Sequence, residues 1–374
     1  MIYLDYAANT PADPEVLDTF ALYENKYIAN PNSAHTLGLS ARQAMADVTD
    51  RIASLLGIEA GGIIYTSGAS EANNTTIKGI ARARRHVGKH IISTALEHPS
   101  VSGPLMWLKE QGWEIDLADI GRDGRIDIGH LKELIRQDTV LIAVTAVDSE
   151  LGQIQPVDEI IKLKSQYPGL LLHVDATQAI GKLPFSFDGI DSASFTAHKF
   201  YGLNGIGVLY KTHNVLLEPL IHGGSGASLY RSGTPTLSLA ASLEKALSKS
   251  MEALSDRYAY VEMLNERLLR SLSLYPEVHI NSPGGSVPHI LNLSVTGVKG
   301  TRFRDILNES GVCVSVKSAC SSDGTPSRAV FAVSRNRKNA LSSWRISLSH
   351  LTTPEEIKEF LEIFDSSYRR LIGV

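Results

Sequence analysis

The feature that most constrains the fold of this chain is a long alternation of short apolar runs and helical segments. Five strand-like runs take part, at residues 63–65, 90–93, 113–118, 140–147 and 170–174. Such an alternation is typical of an α/β protein with a mostly parallel sheet covered by helices on both faces. Ligands of these sheets bind at the carboxyl ends of the strands. Polar residues that directly follow a strand are therefore the first candidates for a functional site.

The helical segments and the length of the chain predict two domains. The chain has 374 residues, and single cores rarely grow beyond about 250–300 residues. Helices are predicted at 104–111, with Pro104 in the first turn, at 128–136 and 158–167, and in two pieces over 236–274. A last helix begins at Pro354, where Thr353 and Glu356 form a capping box. We expect a large domain at 14–255 and a smaller α+β domain built from 1–13 and 256–374.

The composition is that of an ordinary globular protein. Hydrophobic residues make up 43% and charged residues 20% of the chain, with a net charge of −4. This charge gives no reason to expect direct nucleic-acid binding. No apolar run is long enough to span a membrane, and the first residues do not form a signal peptide, so the cytoplasm is the expected compartment. The chain has only 2 cysteines, Cys313 and Cys320. This number is too small for a disulfide framework or an all-protein metal site, and we predict no metal.

One lysine and one aspartate suggest the chemistry. Lys199 lies in a run of small, hydroxyl and aromatic residues at 194–200, and Asp175 follows the apolar run 170–174. An amine that can form a Schiff base, a carboxylate for a pyridine nitrogen and nearby hydroxyls for a phosphate are what a pyridoxal phosphate site needs. The alternative is a surface lysine beside a buried carboxylate at the end of a strand.

Two segments are suited to a phosphate group. Residues 66–71 form a strand–turn–helix junction, and the N–H groups that begin such a helix bind anions. Thr196 and His198, next to Lys199, add polar groups. A glycine-rich, hydroxyl-bearing stretch at 222–227 and 231–234 offers further contacts, or is simply a flexible loop.

Three other side chains are candidates for work on a substrate. His98 follows a strand, where an imidazole can stack on an aromatic cofactor and move protons near neutral pH. Arg345 lies in an apolar strand-like run and suits a bidentate grip on a carboxylate. Cys320 lies among polar and small residues and is expected to be an exposed, reactive thiol, whereas Cys313 is expected to be buried in a strand.

These residues together resemble the cysteine desulfurases of the nitrogen-fixation and iron–sulfur-cluster type, which are class V, fold-type I pyridoxal-phosphate enzymes. The resemblance runs almost end to end. Its motifs lie at residues 3–8, 30–35, 66–74, 97–98, 173–178, 197–199, 231–234, 318–320 and 345–348. Each motif alone is weak, but their order is specific. The resemblance implies a fold-type I transferase whose large domain binds the cofactor and whose smaller α+β domain carries the Cys320 loop.

The resemblance also implies a role for each matching residue. Lys199 would bind the cofactor covalently, Asp175 would face its ring nitrogen, and Gln178 would bond its ring hydroxyl. His98 would stack on the ring and move protons. Further cofactor contacts would come from Ala69, Ser70, Ser149, Thr196 and His198, with Thr234 reaching in from the other subunit of a homodimer. Arg345 and Asn32 would bind L-cysteine. Cys320 would attack the substrate sulfur, leaving a persulfide on the enzyme and L-alanine as product.

The chain departs from the family pattern at three places. Asp148-Ser149-Glu150 replaces the usual Asn-Asn-Glu, Lys317 replaces the glycine before Ser-Ala-Cys, and Ser225-Gly226-Ala227 replaces Gly-Gln-Glu. The alternatives are a related lyase or aminotransferase acting on another amino acid, and a weakly active accessory protein. The sulfur acceptor implied by the resemblance is an iron–sulfur scaffold protein or a tRNA-thiolation enzyme, and the sequence does not distinguish these two.

Overall fold

The computed structural model describes residues 1–224, 228–317 and 324–373. Its strands are β1 (Ile2–Tyr3), β2 (Ile63–Thr66), β3 (His90–Thr94), β4 (Glu114–Ala118), β5 (Thr139–Thr145), β6 (Leu171–Asp175), β7 (Ser192–Thr196), β8 (Gly207–Lys211), β9 (Val278–Ile280), β10 (Ile290–Val295), β11 (Val312–Cys313) and β12 (Ser343–Ser347).

The helices are α1 (Pro14–Lys26), α2 (Thr36–Leu56), α3 (Ala69–Arg84), α4 (Pro99–Glu110), α5 (Ile128–Leu134), α6 (Val157–Lys164), α7 (Leu237–Glu252), α8 (Leu254–Leu272), α9 (Gly300–Glu309), α10 (Arg328–Ser334), α11 (Arg337–Ser342) and α12 (Pro354–Ile372). Within the residues that the structure describes, no helix combines the length and the apolar character needed to cross a membrane.

The main sheet has seven strands in the order β2-β8-β7-β6-β5-β3-β4. The pairs from β7 to β4 are all parallel, and only β8 runs against its two neighbours. All seven residues of β5 are buried, because the strand lies at the centre of a sheet covered on both faces. The mostly parallel mixed sheet predicted from the alternation is therefore present.

A second set of strands organises the C-terminal part of the chain. Strands β12, β10 and β9 form an antiparallel sheet, and β1 pairs in parallel with β11. Their apolar side chains share a core with α8, α9 and α12, where the rings of Phe303 and Trp344 stack with centroids 5.0 Å apart. The first residues of the chain thus pack with its last third, as the predicted small domain requires. The boundaries at 13/14 and 255/256 stay a prediction.

The helix predicted to begin at Pro104 begins earlier. Helix α4 has Pro99 in its first turn, and Pro104 lies inside it. Proline lacks an N–H, so the carbonyl of Ser100, four residues earlier, loses its helical partner. The Asn74 side chain donates to that carbonyl at 3.4 Å, which partly replaces the missing bond. The capping box predicted for α12 at Thr353 and Glu356 is confirmed.

Candidate active site

The carboxyl ends of the parallel strands meet around a cavity of about 320 Å³. Asp175 ends β6, Thr196 ends β7, and the turns after β2 and β3 add Gly68 and His98. The predicted site residues that line this cavity are Ala69, Ser70, His98, Ser149, Asp175, Gln178, Thr196, His198, Lys199 and Arg345. The rule that ligands bind at strand ends therefore locates most of the predicted site.

Lys199 enters the cavity from a short helical turn after β7. Its Nζ donates to the carbonyl oxygens of Ala7 (2.9 Å) and Ala8 (2.5 Å). The next-but-one residue, Tyr201, has a φ of 68°, a left-handed conformation that turns the chain away from the cavity. The small residues near the N-terminus let the main chain come close enough to hold the amine.

The carboxylate of Asp175 is held on both oxygens. Oδ1 accepts from the main-chain N–H of Thr177 at 3.0 Å, and Oδ2 accepts from Asn73 Nδ2 at 2.9 Å. Asp175 is only 5% exposed. Two hydrogen bonds fix the side chain in a buried position, where an anion interacts strongly with a positively charged ring nitrogen.

Asn73 lies beneath Asp175 and was not predicted as a site residue. Its Oδ1 accepts from His173 Nε2 (2.9 Å) and from Ser194 Oγ (2.5 Å), and its Nδ2 also donates to Ser100 Oγ (2.9 Å). Burial lowers the pKa of His173 to about 4, so His173 is neutral. These residues and Asp175 form what we call the floor of the cavity. In the sequence, the only indication of this floor is a polar residue, Asn73, on the buried face of α3.

The beginning of α3 is suited to bind a phosphate. Its N-cap residue, Gly68, has a φ of 155° and no side chain to cap the helix. Gly207 on β8 lies so close that a Cβ there would meet the Gly68 Cα at 2.6 Å. Gly68, Ala69 and Ser70 all line the cavity. The first N–H groups of a 16-residue helix are therefore available to an anion.

The residues present fit pyridoxal phosphate. Lys199 supplies the amine, Asp175 the carboxylate and the first turn of α3 the anion site. The hydroxyl Oγ1 of Thr177, which lines the same cavity, is buried without a hydrogen-bond partner. A buried polar atom without a partner is costly unless a ligand satisfies it, so the cavity is built for a polar occupant.

His98 is the N-cap of α4 and is turned toward that helix. Its Nδ1 accepts from the main-chain N–H of Ser100 at 3.1 Å and lies 2.8 Å from Ser100 Oγ. Burial, opposed by the charge of Asp175, lowers the pKa of His98 below its usual value. His98 is therefore neutral at physiological pH, and the Nε2 edge of its ring is left for the cavity.

Arg345 is 1% exposed and extends from β12 to the cavity. One guanidinium nitrogen donates to Asp5 Oδ1 at 2.9 Å and the other to the main-chain oxygen of Ser149 at 2.7 Å. Its Nε is buried without a partner. The guanidinium has five N–H donors, so donors remain for a substrate carboxylate after these contacts.

Gln178 also lies in the cavity wall with a fixed amide. Its Nε2 donates to the carbonyl of Ala7 at 3.0 Å, and its Oε1 accepts from Lys182 Nζ at 2.5 Å. Lys182 was not predicted as a site residue. Burial, followed by the charges of Lys199 and Arg345, lowers the pKa of Lys182 to about 7.

Three carboxyl groups lie on the far side of His98 and were missed from the sequence. Burial, then the neighbouring charges, raises the pKa of Glu97 to about 8 and that of Asp148 to about 7. Burial also raises the pKa of Glu150, whose Oε2 accepts from Ser327 Oγ at 2.5 Å. Glu97 Oε2 and Asp148 Oδ2 have no hydrogen-bond partner. We call these three residues the acid cluster.

Two predicted residues do not reach the cavity within one chain. Asn32 and Thr234 line a separate pocket of about 520 Å³. Thr234 was predicted to act on the other subunit, so its place outside this chain's own cavity leaves that prediction open. The role of Asn32 also stays a prediction.

Other predictions concern residues outside the described ranges. Cys320 and the segment 225–227 belong to this group. Beside the gap that contains Cys320, Lys317 Nζ donates to the main-chain oxygen and the hydroxyl of Thr325 at 2.9 and 2.7 Å. Cys313 lies in β11 as predicted but is only half-buried, because side chains alternate along the strand and its neighbour Val312 takes the fully buried side.

Comparison with known proteins gives the family. The family described as aminotransferase class-V matches residues 2–360. A NifS/IcsS protein homolog of Lactobacillus delbrueckii subsp. bulgaricus is 35% identical, over 99% of this chain and 97% of its own length. Cysteine desulfurase IscS of Dictyoglomus turgidum is 34% identical, over 99% of this chain and 95% of its own.

Solved structures agree with these relatives. A NifS-like protein superposes with a TM-score of 0.92 at 31% identity, covering 100% of both chains. SspA, solved in complex with cysteine, superposes with a TM-score of 0.82 at 30% identity, covering 94% of this chain and 100% of its own. The chain belongs to the class-V aminotransferase family and within it to the NifS/IscS type. The predicted resemblance and the predicted α/β, fold-type I architecture are confirmed.

Proposed function

We propose that this protein is a pyridoxal-phosphate-dependent cysteine desulfurase that converts L-cysteine to L-alanine. One observation supports this most directly: Lys199, Asp175 and Arg345 line a single cavity in a chain of the NifS/IscS type. Relatives named cysteine desulfurase match almost the whole length, and a structural neighbour was solved with cysteine. A lyase or aminotransferase for another amino acid is not favoured by these matches.

The residues of the cavity have separate tasks toward the cofactor. The Lys199 amine would hold it covalently, and Asp175 would stabilise a proton on its ring nitrogen. The first turn of α3, with Ser70, Thr196 and His198, would hold its phosphate, and Gln178 would donate to its ring oxygen. When bound, the cofactor supplies an electron sink for bond breaking at the α-carbon of an amino acid.

Arg345 binds the carboxylate of L-cysteine. Its guanidinium is already aligned by Asp5 and by the main chain of Ser149, so little side-chain freedom is lost when the substrate binds. Ser149 contributes here through its carbonyl, which any residue at that position supplies. The replacement of the family's asparagine by Ser149 therefore leaves the position of Arg345 unchanged.

Cys320 takes the sulfur. Its thiolate attacks the sulfur of the substrate, the carbon–sulfur bond of the substrate breaks, and the α-amino acid leaves as L-alanine after gaining a proton on its former sulfur-bearing carbon. The enzyme keeps a persulfide, which an acceptor thiol later removes. This assignment is based on the polar segment 315–324 and on the match of residues 318–320 to the family motif.

The wider setting follows from the same resemblance. We place the enzyme in the cytoplasm as a homodimer in which Thr234 reaches the phosphate of the partner's cofactor. Its sulfur goes to an acceptor protein, either an iron–sulfur scaffold or a tRNA-thiolation enzyme, without direct contact between this chain and nucleic acid. The net charge of −4 and the pocket that holds Asn32 and Thr234 support this arrangement.

The test measures products and labels together. With L-cysteine and a reductant, the purified protein should release alanine and sulfide in equal amounts and no keto acid. Borohydride should attach the cofactor to Lys199. After one turnover without reductant, mass spectrometry should find one added sulfur on the peptide that contains Cys320. Cys320→Ser should abolish sulfide release, and the matched variant Cys313→Ser should retain it. Keto acid from other amino acids, with no alanine from cysteine, would contradict the proposal.

A further inference from the structure

Ser100 connects the floor of the cavity to His98. Its Oγ accepts from Asn73 Nδ2 at 2.9 Å and lies 2.8 Å from His98 Nδ1. The same Asn73 nitrogen bonds Asp175 Oδ2. A continuous chain of hydrogen bonds therefore runs from the carboxyl group of Asp175 through Asn73 and Ser100 to the imidazole of His98.

The direction of each bond in this chain is determined. Asp175 Oδ2 accepts from Asn73 Nδ2 at 2.9 Å, so the amide nitrogen of Asn73 faces the carboxyl group. On the opposite side, Oδ1 of Asn73 faces His173 Nε2 and the hydroxyl of Ser194. Because an amide oxygen only accepts, neutral His173 donates to Asn73 Oδ1 from Nε2 and accepts at Nδ1 from the hydroxyl of Ser192, 3.0 Å away. The contacts of Nδ2 and those of Oδ1 are thus consistent with the same orientation of the Asn73 amide.

The orientation of Asn73 then sets that of Ser100. Because Ser100 Oγ accepts from Asn73, its own proton is free to donate to His98 Nδ1. The main-chain N–H of Ser100 donates to the same nitrogen at 3.1 Å. With two donors directed at Nδ1, that nitrogen keeps its lone pair, and the proton of the neutral ring lies on Nε2.

We propose that Asn73 and Ser100 are positioning residues that hold His98 in its Nε2–H tautomer, so that neutral His98 presents a donor to the cavity. Its relevance to desulfuration rests on the proposed function. The resemblance assigned His98 a role in moving protons. In this tautomer, Nε2 instead donates to a negatively charged sulfur or oxygen in the cavity, and it accepts no proton until the ring has first lost the one it carries.

The tautomer can be measured directly. Protein labelled with ¹⁵N-histidine, with and without cofactor, is examined by long-range ¹H–¹⁵N correlation NMR, and His98→Gln identifies the signals of His98. We expect Nδ1 to show the shift of an unprotonated nitrogen and Nε2 that of a protonated one in both forms. A protonated Nδ1 in the neutral ring would overturn the proposal.

Variants of Ser100 test the cause. Ser100→Ala removes one of the two donors to Nδ1, so some Nδ1–H form should appear. The pKa of His98 should also rise by about one unit, a tenfold change in its protonation constant, because a hydrogen bond to the neutral form is lost. Ser100→Thr keeps the hydroxyl and should restore both values. Ser102→Ala is the matched control, since Ser102 lies on the same helix but bonds Arg328.

An unchanged tautomer and pKa in Ser100→Ala would show that the main-chain N–H alone sets His98 and would overturn the role of the side chains. These spectra need no substrate. Failure of the protein to make alanine from cysteine would therefore count against the proposed function and would leave the tautomer result standing.

Discussion

Asp175 and Ser100 of the floor line this cavity, and the acid cluster includes Glu97, the chain neighbour of His98. These two buried clusters satisfy their polar groups in opposite ways. In the floor, the amide of Asn73 uses both of its N–H groups and its oxygen, with partners at 2.5–2.9 Å. In the acid cluster, one oxygen of Glu97 and one of Asp148 have no partner. The floor therefore pairs every polar group of the Asn73 amide, whereas burial raises the pKa of each carboxyl group in the acid cluster.

The difference follows from the identities of the side chains. The floor alternates donors and acceptors, so each group completes its neighbour. The acid cluster places carboxyl groups together, and the pKa of Glu97 is raised first by burial, then by the charge of Asp175 and then by that of Asp148. Like charges in a site of low dielectric constant favour protonation. Burial and neighbouring carboxyl groups thus favour the protonated, uncharged form in the acid cluster, whereas the cofactor needs the negative charge of Asp175 in the floor.

The largest expected effect comes from removing the charge of the floor. Asp175→Asn should lower kcat for alanine formation by about 1000-fold, since unit charges about 4 Å apart interact by about 4 kcal/mol at an effective dielectric of about 20. The absorbance of the bound cofactor should lose its protonated-ring form at neutral pH. Asp119→Asn is the control, because Asp119 follows β4 outside the cavity. A loss below tenfold would contradict a role for Asp175 at the ring nitrogen.

The next effect is on stability. Asn73→Leu should lower the free energy of unfolding by about 3 kcal/mol, because it removes one hydrogen bond from each of four buried groups, on Asp175, His173, Ser194 and Ser100. Urea unfolding of the protein without cofactor measures this directly. The neighbouring variant Asn74→Leu, which loses contacts only to two carbonyl oxygens, should cost less than half as much. Equal costs would mean that the floor is not a connected network.

Much of this arrangement could be predicted from the sequence, because strand ends and family motifs mark individual positions. Asp175, Thr196, His98 and Lys199 are all polar residues at the end of a strand or shortly after it, and they meet at one edge of the sheet. The capping box of α12 is likewise a local pattern. These features depend on residues that are close together in the chain.

The parts that escaped prediction depend on distant partners. Asn73 acts through His173 and Ser194, which are 100 and 121 residues away, and its neighbour Asn74 is the same residue type in a different environment. The acid cluster joins Glu97 to Asp148, which are on separate loops. Pro104 looked like the start of a helix because nothing local shows that Asn74 compensates for its missing N–H. Pairing across a sheet or between helices is set by the tertiary fold, not by local pattern.

The smallest expected effect is the part of the pH dependence of stability that comes from Asp148, and it distinguishes the acid cluster from the floor. Asp148 is 1% exposed, and burial, together with Glu150, raises its pKa from 3.8 to about 7. A carboxyl group whose pKa is raised on folding stabilises the protein fully below its unfolded pKa, and this contribution is lost as pH rises through the folded pKa. Through Asp148, raising the pH from 5 to 8 should therefore lower the free energy of unfolding by about 2 kcal/mol.

Asp148→Asn keeps an acceptor for the main-chain N–H groups of Glu150 and Leu151 but does not ionise. The variant should lose about 2 kcal/mol of the wild-type difference in unfolding free energy between pH 5 and pH 8, and it should be the more stable protein at pH 8. Glu97 and Glu150 also face this site and have raised pKa values, while Arg345 opposes the shift of Asp148, so some pH dependence should remain. Urea unfolding at both pH values, with the exposed Asp18→Asn as control, gives the comparison. If Asp148→Asn keeps the full wild-type pH dependence, Asp148 is ionised in the folded protein, and the contrast between a charged floor and a protonated acid cluster fails.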